Sequence, residues 1–296
     1  MDSLEEIRRQ RALAYRAQAC GGTDAPRRRS RSPRGAEQDD VDMEPEALRI
    51  LSWNIDGLDN ESSEEDMLGR TLWVLKEISE RRPHVVFLQE LVDFNFQIVQ
   101  ERLGSAYHVV PQRDPAQPYF VAILVHRYSM EIQSSRTVSF PHSKMGRSAV
   151  YVCAKLRTKP EIRIGLMTAH LESQREYSAE RKSQLSICSN LVSDEDVFVL
   201  GGDLNLRDNE VPAQLANQDC WILAGRDKQH EFTWDTSRND NVVMPGRAKP
   251  KCRFDRLYLK GNARVADFSL TGTERIPGLR RFASDHFGVF AKLMIG

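Results

Sequence analysis

Eight short apolar runs punctuate the chain between turn-forming residues: RILSW (49–53), HVVFLQ (84–89), YFVAILVH (119–126), AVYVCAKL (149–156), IRIGLMTA (162–169), VFVLG (197–201), RLYL (256–259) and GVFAKLMI (288–295). Their length and β-branched content predict buried strands, since a strand covered on both faces needs no polar alternation. Helical spacing lies between some of them. EEDMLGRTLWVLKEISERR follows Ser62 and Ser63, both suited to capping a helix, and Leu68, Leu72, Leu75 and Ile78 or Ser79 mark its apolar face before Pro83 closes it. A second helix is predicted over 178–192, with Leu185, Cys188, Leu191 and Val192 inward. Strands that are apolar on both faces need cover on both sides, so residues 47–296 predict one layered α/β sandwich without internal repeats.

The first 46 residues lack this pattern. PRRRSRSPR (26–34) holds five arginines among serines and prolines, and residues 37–46 hold six acids. So little apolar surface cannot offset the entropy of ordering, and residues 1–46 read as a disordered charged tail with room for a short helix over 3–18. The arginine run suits a nuclear-localisation patch, with Ser30 and Ser32 as phosphorylation sites, and suits a plain solvated tail equally well. The nucleus is the expected location, with the cytoplasm second. MDSLEEIRRQRALAYRAQ has no signal-peptide core, and no apolar run approaches the ~20 residues that cross a bilayer, so no membrane role is expected. Lys+Arg and Asp+Glu both number 42, so nucleic-acid binding must come from local clustering. Five scattered cysteines (Cys20, Cys153, Cys188, Cys220, Cys252) form no C-x-x-C pair and predict reduced thiols, with Cys153 and Cys188 as small core residues.

The ends of the runs carry the chemistry. RILSWNID closes on Asn54 and Asp56, HVVFLQE on Gln89 and Glu90, IRIGLMTAH on His170, and VFVLGGDLN on Asp203 and Asn205. Asp285 and His286 directly precede the last run, and Asp255 lies in KCRFDRLYL. Desolvating such groups is costly unless something pairs with them. In open α/β sheets ligands bind beyond the carboxyl ends of strands, so these endings are expected to converge on one site. The i, i+2 spacing of Asn54 with Asp56, and of Asp203 with Asn205, predicts that each pair shares a strand face. Asp56, Glu90, Asp203, Asp255 and Asp285 would repel one another unless a cation neutralised them, and an oxygen set without cysteine favours Mg²⁺ or Mn²⁺. With two histidines and two amides the set suits hydrolysis of a phosphoester. Singly, each piece has a plainer reading: Gly-Gly-Asp is common turn chemistry, and a lone His170 or Glu90 is a satisfied rim residue. His84, His108, His126, His142 and His230 carry no functional reading.

In order along the chain, SWNIDGL, FLQE, TAHLES, GGDLN, CRFDRLY and SDH resemble the motifs of the exonuclease-endonuclease-phosphatase superfamily, over about residues 48–296. PYFVAIL, SKMGR, AERKSQL, GGDLNLRDNEV and FTWDT narrow the likeness to its branch acting on 5′-phosphotyrosyl DNA. The resemblance implies a DNase I-like, four-layered α/β sandwich of two mixed β-sheets flanked by helices. It also implies a monomeric, Mg²⁺-dependent hydrolase acting on the tyrosyl bond left when a type II topoisomerase is trapped on a DNA end, leaving a 5′-phosphate for double-strand break repair. Carried over by motif, Glu90 binds the metal, supported by Asp56 and Asp285; Asn54 and Asn205 hold the phosphate or nucleophile; and Asp203 orients and deprotonates the attacking water. His286, steadied by Asp255, stabilises the transition state together with His170. Arg147, Ser173 and Arg175 resemble DNA-backbone contacts, which fix register without reading sequence. Tyr119 and Trp234 resemble groove-lining positions, and read equally as rim aromatics packed for stability. Vertebrate members of that branch carry a ubiquitin-binding helical domain ahead of the catalytic one. The first 46 residues here, mostly polar, match neither its size nor its pattern, so ubiquitin-dependent recruitment is not expected. Superfamily motifs fix chemistry and not substrate, which leaves an abasic-site endonuclease, a lipid or RNA phosphatase, and a non-catalytic DNA-binding scaffold as rivals.

Overall fold

The eight apolar runs are strands of two mixed sheets. The structure, a computed structural model, describes residues 44–296 apart from 60, 115, 116, 192, 193, 243 and 245. Most of the proposed tail lies outside the described residues. Sheet I runs β12 (Ala263–Thr271), β13 (Gly288–Ile295), β1 (Ala47–Asn54), β2 (Val85–Leu91), β4 (Phe120–His126), β3 (Tyr107–Gln112). Sheet II runs β11 (Asp255–Gly261), β8 (Val197–Asp203), β7 (Lys159–His170), β6 (Ser148–Leu156), β5 (Met130–Ser139). A two-residue ribbon, β9 (Trp234–Asp235) with β10 (Lys251–Cys252), stands apart. The pairs β1–β2 and β7–β8 are parallel, and the other pairs within these sheets are antiparallel.

Period-2 alternation sorts the side chains into layers. Ile50, Val85, Phe87 and Ile123 of sheet I meet Val152, Leu166, Val197 and Val199 of sheet II in the central core. Their neighbours Leu51, Val86, Leu88 and Leu124 face outward beneath helices α1 (Glu64–Arg81) and α2 (Asp93–Leu103). Cys153, Met167, Phe198 and Leu200 face outward on the other side, beneath Leu185 and Cys188 of α3 (Ser178–Asn190). Helix, sheet, sheet and helix make the four layers that the resemblance implies. Among the described residues no helix is long and apolar enough to cross a membrane.

Helix α1 starts where expected, with the Ser63 hydroxyl accepting the Asp66 N–H at 3.1 Å, and stops at Arg82, which turns left-handed (φ 46°) before Pro83. Its buried face is Met67, Arg70, Thr71, Val74, Leu75 and Ile78. Leu68 and Leu72 are rotated to its half-buried edge, because a buried arginine takes the place an apolar residue would fill. Helix α3 stops at Asn190, Leu191 is partly buried, and Val192 lies outside the described residues. Strands β3, β5 and β12, absent from the apolar runs, are all sheet edges, where half-exposed residues dilute the pattern.

Candidate active site

Strand register places the polar residues along one rim. In sheet II, His170, Asp203 and Asp255 lie side by side as the paired residues of β7, β8 and β11; β11 is antiparallel to β8, so its first residue meets the last of β8. In sheet I, Asn54 ends β1 opposite Gln89 of β2, and the segment entering β13 brings Asp285 and His286 to the same rim. The two sheets meet there directly. The Asn54 amide donates to Glu90 Oε1 at 2.9 Å and to Asp203 Oδ2 at 3.0 Å, and Gln89 donates across the gap to Thr168 Oγ1 at 3.0 Å.

The expectation that Asp56 and Asn205 share a strand face with their i−2 neighbours is overturned. Each strand stops at the first residue of its pair, whose side-chain oxygen accepts the N–H two residues on: Asn54 from Asp56 at 2.9 Å, and Asp203 from Asn205 at 3.1 Å. These are Asx turns, and the second residue of each is left-handed, with φ of 51° at Asp56 and 52° at Asn205. Glu90, beside an irregularity in β2, is left-handed as well at φ 56°. Backbone strain at three candidate residues of one rim marks a functional site, since such conformations persist only where the surroundings enforce them. The glycines of GGD also have a steric reason here. Gly202 sits at φ 134°, and a Cβ there would lie 2.1 Å from the Ala169 carbonyl, so only glycine lets β8 end so close to β7.

Charge is distributed unequally. The Asp203 carboxylate lies 3.2 Å from His170 Nε2 and 3.8 Å from His286 Nε2. Burial works against its ionisation, yet the two imidazoles and the Asn54 amide hold it far below the usual carboxylate range. His286 Nδ1 is 2.7 Å from Asp255 Oδ2. Burial opposes protonation of His286, but the charges of Asp255, Asp285 and Asp203 raise it well above an ordinary histidine. The Trp53 indole holds the His286 carbonyl at 3.0 Å, and the Ser284 hydroxyl accepts its N–H, also at 3.0 Å. Asp56 behaves in the opposite way to Asp203. Burial and the charge of Asp285, reinforced by Glu90, push its carboxyl up to about 8 even though Arg70 stands 2.7 Å away.

That crowding tests whether the residues fit a cation. Asp285 and Glu90 both repel Asp56, and among the described residues the buried His170 Nδ1, 3.9 Å from Glu90 Oε1, has no hydrogen-bond partner. Glu90, His170 and Asp203 present ligand atoms within 4.8 Å of one another, as do Asp203, Asp255 and His286. A thiolate-free set of carboxylates and imidazoles, with Asp56, Asp285 and Glu90 crowded together beside it, fits a divalent cation. Asp56 and Asp285 fall outside both triplets; the first is held by Arg70 and the second by the Trp234 indole at 3.2 Å.

Of the remaining candidates, Tyr119 and Arg147 line a groove that reaches His170. The Arg147 guanidinium stacks 5.5 Å over Tyr119, donates to the Leu171 carbonyl, and reaches Ser173 Oγ at 3.2 Å. Tyr119 in turn stands 6.1 Å from the His170 ring, and these residues share a groove with Met145 and Gln117. Asn205 Nδ2 donates to Leu171 O at 3.2 Å. Arg175 is exposed two residues beyond Ser173. Of the histidines given no role, His84 is buried as the acceptor for the Arg49 N–H and His126 bonds Ser129. Sequence reasoning missed Arg70, Glu172 and Arg181, three buried charges that hold the loops of the rim. Their one available signal was a charge in an otherwise apolar helix face or strand end.

The model of the Endonuclease/Exonuclease/phosphatase family matches residues 51–286. The chain is similar to the 5′-tyrosyl-DNA phosphodiesterase of Caenorhabditis briggsae, at 34% identity over 257 residues, covering 84% of this chain and 70% of that protein. It is similar to tyrosyl-DNA phosphodiesterase 2 of Gallus gallus at 34% identity, covering 83% and 66%. The chain thus spans about two thirds of the length of the curated relatives it matches. The fold superposes on the crystal structure of D. rerio TDP2 complexed with single strand DNA product, with a TM-score of 0.75 and 28% identity over 83% of this chain and 98% of that one. Truncated Caenorhabditis elegans TDP2 gives the same TM-score at 33% identity, over 84% and 98%.

Proposed function

The chain belongs to the endonuclease/exonuclease/phosphatase family, and from that premise we propose that it is a Mg²⁺-dependent phosphodiesterase that hydrolyses 5′-phosphotyrosyl bonds at DNA ends. The observation that carries this reading is the rim itself: Asn54 joins Glu90 and Asp203 at 2.9 and 3.0 Å, where two sheets deliver carboxylates, amides and histidines to one point. The names of its relatives and the DNA product bound by one of them supply the substrate class.

Glu90 would hold the ion, with Asp56 and Asp285 supporting its charge and waters. An ion held there, Mg²⁺ or Mn²⁺, would supply polarisation of a phosphoryl oxygen and offset of its developing charge. Asp203, which faces the imidazoles of His170 and His286 at 3.2 and 3.8 Å, accepts a hydrogen bond from the attacking water, aligns it and takes its proton as the water oxygen bonds phosphorus and the bond from phosphorus to the tyrosyl oxygen breaks. His286, held protonated against Asp255, and His170 donate to the equatorial phosphoryl oxygens as charge builds. Asn54 and Asn205 would hold the phosphate or the nucleophile, and Arg147, Ser173 and Arg175 would contact the DNA backbone. Tyr119 lines the groove beside Arg147, and Trp234 stands against Asp285. A tyrosine leaving group, with a pKa of ~10, needs less protonation than a sugar alkoxide, so the site needs no strong acid beyond the histidines. The biological adduct would be a trapped type II topoisomerase, met in the nucleus by a monomeric enzyme.

Turnover of a 5′-phosphotyrosyl oligonucleotide and of an abasic duplex, each with and without MgCl₂, tests the proposal. Faster cleavage of the tyrosyl substrate, abolished by chelator, is expected. Preferential cleavage of the abasic duplex overturns it.

A further inference from the structure

Arg70 is the one residue of the buried face of α1 with a full charge, and its side chain is 1% exposed. Its guanidinium grips three segments at once. Nε donates to the Ala283 carbonyl at 3.0 Å; Nη1 donates to Asp59 Oδ2 at 2.8 Å and Ser62 Oγ at 3.0 Å; Nη2 donates to Asp56 Oδ2 at 2.7 Å and to the Asp56 carbonyl at 3.2 Å. Arg281 backs the same knot, reaching Asp59 Oδ2 at 2.9 Å and Ser62 Oγ at 3.0 Å. Ala283 leads directly into Ser284, whose hydroxyl donates to the Asn54 carbonyl at 2.6 Å and accepts the His286 N–H. The guanidinium therefore ties the left-handed turn carrying Asp56 to the segment carrying Asp285 and His286.

We propose that Arg70 is a built-in cation of the active site, a positioning residue that holds Asp56 and the Asp285–His286 segment in working register before any divalent ion arrives. The inference rests on the reading of the rim as a divalent-cation site and adds to it a permanent positive charge from the protein. Burying an arginine is costly, and an apolar residue would fill the same face of α1 at no such cost, so its retention fits a demand for geometry over stability. The fork shape matters as much as the charge. Planar donors in fixed directions reach two carboxylates and two carbonyls together, whereas a lysine ammonium is a point charge on a flexible stem.

Three proteins separate these roles: the wild type, Arg70→Met and Arg70→Lys. Each is melted with and without saturating MgCl₂, and each is assayed for kcat and KM on a 5′-phosphotyrosyl oligonucleotide. Without the fixed cation the carboxylates depend wholly on the divalent one, so the Mg²⁺-induced rise in Tm should be at least about twofold larger in R70M than in the wild type. R70K, which keeps the charge, should show the wild-type rise. Both variants should lose about tenfold or more in kcat at saturating Mg²⁺, with KM changed far less, because the groups are present but misplaced. Equal Mg²⁺-induced shifts in the wild type and R70M, or an R70K enzyme with wild-type kcat, overturn the proposal. If R70M does not fold even with Mg²⁺, R70K decides alone: lost kcat with an unchanged Mg²⁺ shift supports the inference, and unchanged kcat rejects it. A wild type whose Tm and turnover ignore divalent ions refutes the parent reading, a result distinct from any of these.

Discussion

The end of β1 in sheet I and the end of β8 in sheet II are built from the same parts in opposite order. One reads amide-x-acid (Asn54, Asp56), the other acid-x-amide (Asp203, Asn205), and both close in an Asx turn with a left-handed second residue. Each is backed by a buried arginine from the helix on its outer face. Arg70 of α1 holds the first; Arg181 of α3 holds the segment beside the second, through Glu210 at 2.6 Å and the carbonyls of Glu172 and Gln174, both at 2.8 Å. The two differ in where the arginine's charge goes. Arg181 places it on Glu210, a carboxylate that otherwise bonds Ser178 and the Arg207 N–H, all part of the scaffold. Arg70 divides it between Asp59, which Arg281 also holds, and Asp56, which Asp285 and Glu90 repel. One backbone device thus serves two ends: around β8 the carboxylate at the strand end is left free to face His170 and His286, while around β1 the carboxylate is itself braced.

If the order of acid and amide sets the division of labour, exchanging them at β8 should do the most damage. Asp203→Asn should lower kcat on a 5′-phosphotyrosyl oligonucleotide by about 10³-fold or more with the circular dichroism spectrum unchanged, since it removes the one carboxylate facing both imidazoles. A loss under about tenfold would break the comparison at its main point.

The arginines offer the next test. Arg181→Met leaves the buried Glu210 with Ser178, the Arg207 N–H and the more distant Arg207 guanidinium at 4.0 Å, and should cost ~3 kcal/mol in urea unfolding. A cost near zero would show that the β8 side does not depend on this brace.

The acid limb of stability sharpens the same contrast. Burial opposes charge on Glu210, but Arg181, the Arg207 N–H and Ser178 hold its carboxyl at about 2. That is below the ~4.3 of an unfolded glutamate, so the unfolded chain takes up the proton first and stability is lost as pH falls. The contribution is fully present above the unfolded value and is lost progressively as pH drops toward 2. Glu210→Gln should flatten the fall in Tm over that window; an unaltered slope would place the acid sensitivity elsewhere.

The smallest effect concerns backbone strain alone. At Asn205 alanine should be less stable than glycine by ~1 kcal/mol, because a Cβ is disfavoured at φ 52°. Equal stabilities would mean that this turn relaxes when its amide is removed.

The same division explains what was legible beforehand. Strands β1, β2, β7 and β8 announce themselves because both faces are buried, and their terminal acids, amides and histidine stand out against that apolar background. β5 (MEIQSSRTVS) and β12 (ARVADFSLT) do not, since an edge strand half in water has no need of a continuous apolar run. Helix α2 went unread because DFNFQIVQERL buries Asn95 among Phe96, Val99 and Leu103, blurring its apolar face. Asn54, Glu90, Asp203 and His170 were readable as a set from position at strand ends, but no spacing rule reveals that Asp56 and Asn205 leave the strand plane. Arg70 and Arg181 were invisible for a related reason. A charge on a helix reads as solvent-facing until its partners, up to 213 residues away at Ala283, are brought beside it by the fold.

Crystals of the full chain soaked with MnCl₂ and a 5′-phosphorylated oligonucleotide would locate the metal by anomalous scattering. A Mn²⁺ peak ligated by Glu90 and by a phosphate oxygen, within reach of Asp203 and His286 and absent in Glu90→Gln, is expected. A peak elsewhere, or one undisturbed by Glu90→Gln, would contradict it.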